Sequence, residues 1–233
     1  MSLLINPRLS IEAMISQGDL TALLRRAGEL HGHFCPYVAL GVRAGYLALT
    51  SLGVQGNRGM EEVIAIVETN NCFSDGIQVV TGCTFANNAL IYRDLGKTAV
   101  TVAKRDGTAV RVALRGDYSD SFDTRYPEAA AMFRKFVRER QEPTPEEQAR
   151  RMQMWAETSY AQLEVPSEEL FTVQHQRVEV PPYAPIFSSV RCAVCGESII
   201  ESRVQVKDGQ PICITCAAAC YYQLDGSGIS ATR

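Results

Sequence analysis

Apolar positions along this chain change period several times, and each change marks an element. Over residues 19 to 30, Leu20, Leu23, Leu24 and Ala27 recur at helical spacing, predicting an amphipathic helix that opens at Asp19. Pro36 suits a first helical position, so a second helix is expected from there to a stop near Gly53. Its Gly41, Ala44, Gly45 and Ala48 form a stripe of small residues suited to close packing within the core or between subunits, while Arg43 excludes a membrane dimer motif. The apolar, β-branched run from Glu62 to Glu68 reads as a buried strand. Thr69-Asn70-Asn71-Cys72 then leads into a short helix over residues 75 to 80, broken at Gly82-Cys83-Thr84. Residues 98 to 103 and 108 to 114 are strand-like, and Asp106-Gly107 between them signals a hairpin. Helical patterns cover residues 127 to 140 and 145 to 161, the latter opened by Pro145 and a capping box of Thr144 with Glu147. Met152, Trp155 and Ser159 continue that helix at structural positions.

Beyond that helix the chain is punctuated by Pro166, Pro181, Pro182 and Pro185, around one strand-like run at residues 170 to 173. The chain therefore divides into a core of helices and strands over residues 1–165, a Pro-rich connector over 166–187, and a small cysteine-rich unit over 188–233.

A chain of 233 residues can bury a full core, and its 46% hydrophobic and 21% charged content is that of an ordinary globular protein. The net charge of −3, with basic and acidic residues interspersed, gives no nucleic-acid footprint. The opening residues lack the features of a signal peptide, and no apolar run reaches the roughly 20 residues of a membrane span. A cytoplasmic location is expected, where eight cysteines read as ligands, reactive thiols or core residues and not as disulfides.

The chemistry concentrates at His31-Gly32-His33-Phe34-Cys35-Pro36. In an extended segment His31, His33 and Cys35 share one face and Phe34 the other. Cys35 falls at the cap of the Pro36 helix, where free N–H groups and the helix dipole favour a thiolate, so its thiol is expected below the roughly 8.5 of a free cysteine. Two imidazoles and a thiolate suit a soft or borderline transition metal; the plain alternative is a well-packed turn. Cys72 and Cys83 fall just after a strand and a short helix, element ends at which functional groups gather. His175 stands alone and is read as a non-ligand.

Cys192-Ala-Val-Cys195 and Cys213-Ile-Thr-Cys216 form a C-x₂-C … C-x₂-C arrangement, the ligand set of a closed, structural tetrahedral zinc. A hairpin turning at Lys207-Asp208-Gly209 and an Ala-rich helix after the second pair give the order of a treble-clef finger, with Cys220 expected to be buried. So small a unit needs its metal to fold.

Taken in order, these motifs resemble the E subunit of formylmethanofuran dehydrogenase and its relatives. The carrying residues are His31 to Pro36 with Gly41-Val-Arg-Ala-Gly45, Glu68-Thr-Asn-Asn-Cys72-Phe-Ser-Asp75-Gly-Ile-Gln78, Thr81-Gly-Cys-Thr84, Asn88 and Gly96-Lys97. The resemblance covers residues 20 to 120, and the tail resembles a finger that some members append. It implies a dimeric α+β core, helices on a mainly antiparallel sheet, with the motif residues gathered in one cleft, and carries over His31, His33, Cys35, Cys72 and Cys83 as the candidate metal site. The Phe85-Ala-Asn-Asn segment departs from the Gly-Lys-Gly of many relatives. The parent complex oxidises formylmethanofuran with a molybdenum or tungsten pterin and iron–sulfur clusters, but this chain has no ferredoxin-like cysteine run. The first functional expectation is a metal-binding accessory protein or subunit of a molybdenum- or tungsten-type oxidoreductase, with the finger contacting a partner. Its rival is a free-standing enzyme using Cys35 as nucleophile or a core metal to activate water. A nucleic-acid-binding regulator is the weakest fit.

Overall fold

The computed structural model describes residues 5–54, 56, 57 and 59–232. They fall into two compact units that divide between Pro181 and Pro182, inside the proline-punctuated stretch.

In the larger unit, α1 (Leu9–Gln17) and α2 (Leu20–His31) lead to α3 (Pro36–Ser51), the helix that the others surround. Asp19 caps α2 by accepting from the Ala22 N–H, and Cys35 occupies the extended cap position of α3 with Pro36 first in the helix, as the sequence predicts. Strand β1 (Val63–Val67) is buried along its whole length. Next come α4 (Phe73–Thr81), β2 (Leu90–Tyr92), and the hairpin β3 (Ala99–Lys104) and β4 (Thr108–Leu114).

The sheet order is β2-β1-β3-β4-β5, with β1 and β2 parallel across the α4 crossover and every other pair antiparallel. The fifth strand, β5 (Phe171–Arg177), corrects the expected boundary of the core unit. The stretch read as a connector supplies this edge strand, held by its backbone ladder to β4. Most of its side chains are exposed, His175 included, so no apolar alternation marks it in the sequence.

Between β4 and β5 lie α5 (Tyr118–Arg125), α6 (Pro127–Phe133), α7 (Pro145–Glu164) and the single turn α8 (Ser167–Leu170). Both bonds of the Thr144–Glu147 capping box are made. The helix expected over 127–140 changes winding instead, becoming a π-helix at Arg134–Arg138. Helices α1 and α5 had no periodic signal strong enough to be read. No helix among the described residues is long and apolar enough to cross a membrane.

Two contacts hold α3. A Cβ added at Gly41 would lie 2.0 Å from the Phe73 carbonyl oxygen, and one at Gly76 2.5 Å from the Val38 oxygen and the Val42 nitrogen, so α3 and α4 meet backbone to backbone. The stripe of small residues is thus used within the chain. On another side, buried Arg43 donates to the Gln162 carbonyl at 2.8 Å, to the Val165 carbonyl, and to Ser167 Oγ at 2.8 Å, satisfying the open C-terminal end of α7.

In the smaller unit, β6 (Ser189–Arg191) pairs with β7 (Ser198–Ile200), and β8 (Gln205–Lys207) with β9 (Gln210–Ile212) around the expected Asp208-Gly209 turn. The Ala-rich segment after Cys216 is not the helix expected of it. It forms turns with Ala218 at φ 50°, Cys220 is exposed and not buried, and a last hairpin comes after it, β10 (Tyr222–Asp225) with β11 (Gly228–Ala231). Alanine's helix preference is weak, and in five consecutive turn residues tied to a cysteine knuckle it is overridden.

This packing can be tested at two positions. Gly41→Ala should cost about 3 kcal/mol, because backbone atoms cannot yield as side chains do; an unchanged thermal midpoint would refute the close contact. The buried Glu68 carboxylate accepts from Arg111 Nε at 2.7 Å and from Nη2 at 2.8 Å, which holds its pKa below 4.5. A depressed carboxyl stabilises the fold above its unfolded pKa and loses that contribution as pH falls through the folded one. Glu68→Gln should therefore lose about 2 kcal/mol at neutral pH, and denaturant titrations of parent and variant should converge in acid. A constant gap would contradict the pairing.

Candidate metal centre

His31 does not lie in an extended segment. It ends α2, and Gly32, at φ 87°, turns the chain in a left-handed cap before the extended approach to Cys35. Phe34 is held away from the site by the bare face of Gly28, where a Cβ would come 2.6 Å from its ring, and by Tyr160 at 5.4 Å between centroids. The result still gathers the expected group: one donor atom from each of His31, His33 and Cys35 lies within 4.8 Å of the others.

The His31 imidazole is oriented from a distant part of the chain. Its Nδ1 lies 2.7 Å from Asp75 Oδ2, and Asp75 is fixed in turn by Gln78 Nε2 at 3.0 Å. With Nδ1 turned to the carboxylate, Nε2 is the ring nitrogen left to face a ligand. That Nε2 is buried and has no hydrogen-bond partner among the described residues. Burial first, and then His31 and Arg151, lower the pKa of His33, which keeps its ring neutral and fit to ligate.

Cys72 caps α4 as Cys35 caps α3, and its thiol interacts electrostatically with Cys35 and His31. This reverses the expectation for Cys35. The interaction with Cys72, then burial, push the Cys35 thiol upward, while Cys35 and the nearby His31 draw the Cys72 thiol down. Two coupled thiols share one negative charge, and the less buried one beside an imidazole takes it.

Cys83 is not brought to this cluster. It comes after the far end of α4, roughly 15 Å along the helix from Cys72 at 1.5 Å per residue. Its thiol is buried against the Val63 carbonyl at 3.3 Å, and burial raises it to about 11. The role of Asp75 depends on a contact across 44 positions, which no local spacing announces.

In the tail, donor atoms of Cys192, Cys195, Cys213 and Cys216 likewise lie within 4.8 Å of one another. Backbone N–H groups point at the sulfurs, Cys213 N to Cys192 Sγ and Cys216 N to Cys213 Sγ, both at 3.3 Å. Four thiols with amide donors behind them fit a tetrahedral structural zinc. Cys213→Ser should empty the tail of zinc while the larger unit keeps its thermal transition; equal zinc content in variant and parent would overturn that ligand set.

Comparison with known proteins bears on both units. The family model "FmdE, Molybdenum formylmethanofuran dehydrogenase operon" matches residues 30–172, and the prokaryotic dksA/traR C4-type zinc finger matches residues 185–222. A probable S-adenosyl-L-methionine-binding protein of Archaeoglobus fulgidus is 44% identical over 217 residues, which is 91% of this chain and 57% of the relative. The chain therefore spans little more than half of that protein. A crystal structure from Syntrophus aciditrophicus, of a protein similar to the E subunit (FmdE) of tungsten formylmethanofuran dehydrogenase, shares the fold. Its TM-score is 0.57 at 20% identity, over 85% of this chain and 91% of that one. The chain belongs to the FmdE family and carries a four-cysteine zinc finger beyond its family domain.

Proposed function

We propose that His31, His33 and Cys35 hold one transition-metal ion, and that the protein is a metal-binding accessory protein or subunit serving a molybdenum- or tungsten-type oxidoreductase. The observation that carries the metal is the buried, partnerless Nε2 of His31, backed by Asp75 on the opposite nitrogen and facing a second imidazole and a thiol. A carboxylate behind a histidine is the usual support for a metal ligand, since it fixes the ring and raises its basicity. A packed turn gives no reason for such an arrangement and leaves a buried acceptor to bear its desolvation cost. The mixed nitrogen and sulfur set suits zinc, nickel, iron or cobalt better than a hard cation.

The redox partner is proposed from the family, whose description and neighbour both refer to formylmethanofuran dehydrogenase. The finger would make the contact, and a twofold homodimer is the simplest assembly. A second reading, a free-standing enzyme, draws on one observation: a cavity of about 300 Å³ borders His33, Cys35 and Cys72. Three protein ligands would leave a coordination position open towards it, whereas Cys72 as fourth ligand would close the shell.

Metal counting tests the centre. After reconstitution and removal of excess metal, the parent should hold one ion beyond the finger's zinc, and Cys35→Ser none. Asp75→Ala should weaken that ion by about 10–100-fold. A parent that never exceeds one ion per chain would refute the proposal.

A further inference from the structure

The cavity beside this cluster has a chemistry of its own. Its volume, about 300 Å³, is at the small end for organic ligand sites, roughly 300–1,000 Å³. Tyr37, Tyr118, Phe122 and Trp155 line it, with Cys35 and Cys72 on the same lining. Aromatic walls favour a flat, unsaturated body that can stack or meet ring edges.

Tyr118 is 5% exposed, and its hydroxyl is buried without a hydrogen-bond partner among the described residues. Burial raises its pKa, so the group stays protonated and is a donor lacking an acceptor. An unmet buried donor costs about 1–3 kcal/mol.

Arg134 and Arg138 border the cavity, both exposed, against a single carboxylate, Asp123. Neither arginine is in a salt bridge among the described residues; Arg138 instead lies over the Phe133 ring at 5.7 Å. Both come from the π-helix that interrupts the expected α-helix, a distortion that often marks functional sites.

We propose that this cavity binds a flat aromatic or heteroaromatic carboxylic acid. Its ring lies among the aromatic side chains, a ring nitrogen or oxygen accepts from Tyr118, and its carboxylate is held by Arg138 at the mouth. The inference deepens the metal-centre reading and rests on it for what lies beneath the bound acid; the binding itself depends on Tyr118, Arg138 and the aromatic walls. S-adenosylmethionine, with two cationic groups and one carboxylate, would meet two guanidiniums at the mouth and is disfavoured.

Trp155 is the chain's single tryptophan and lines the cavity, so its fluorescence reads the site directly. The full-length protein is titrated with nicotinate, nicotinamide, acetate and S-adenosylmethionine, with and without a second metal added. Nicotinate should quench saturably, about tenfold more tightly than nicotinamide, with no response to acetate. Arg138→Met should abolish that tenfold preference at an unchanged thermal midpoint, and Tyr118→Phe should weaken nicotinate about fivefold while the thermal midpoint of the free protein does not fall. Three results would overturn the inference: no saturable quenching by nicotinate in either metal state, equal affinity for acid and amide, or saturation by S-adenosylmethionine alone. Metal content, measured on the same samples, is judged apart. Acid binding by protein that takes up no second ion even when metal is supplied refutes only the centre, and a second ion without acid binding refutes only this inference.

Discussion

Everything at the candidate centre depends on one backbone contact, the crossing of α3 and α4 at Gly41 and Gly76. Only residues without a Cβ let the two helices approach so closely. Because they do, two helix N-termini converge, each capped by a cysteine, and Asp75 in the first turn of α4 reaches His31 at the end of α2. The small-residue stripe of α3 therefore has its explanation inside the protomer. It gives no separate argument for a dimer, which rests on the family likeness and on the general prevalence of twofold assemblies.

The electrostatics of the two cysteines come from the same convergence. Each is placed at a helix start that favours a thiolate, but their charges oppose one another, and so buried a site does not hold two neighbouring negative charges. Cys35 is pushed up and Cys72 drawn down. A cation lodged against both sulfurs would relieve that conflict, which is the physical link between the helix crossing and a metal.

Legibility in the sequence divides along local against distant contacts. The cap at Cys35, the Thr144 capping box, the Asp106-Gly107 hairpin and the cysteine spacing of the finger are each set by residues a few positions apart, and each is legible. Asp75 behind His31, the lone hydroxyl of Tyr118 and the edge strand β5 are set by partners tens of residues away, and no spacing announces them. The π-turn at Arg134–Arg138 is invisible for a different reason, because its residues continue a helical pattern while the backbone widens. Cys83 illustrates the opposite error. A motif cysteine at an element end looks chemical, yet a helix length carries it away from the cluster and into the core.

The central claim is a mixed nitrogen and sulfur metal centre built from His31, His33 and Cys35. X-ray absorption at the edge of cobalt or nickel, added to full-length protein whose finger already holds zinc, observes that centre alone. The expected shell has two nitrogen donors near 2.0–2.1 Å and one or two sulfur donors near 2.3 Å, roughly the distances of zinc sites. Four sulfur donors would mean the ion had merely entered the finger. A shell of oxygens alone would mean adventitious binding, and either result would contradict the claim.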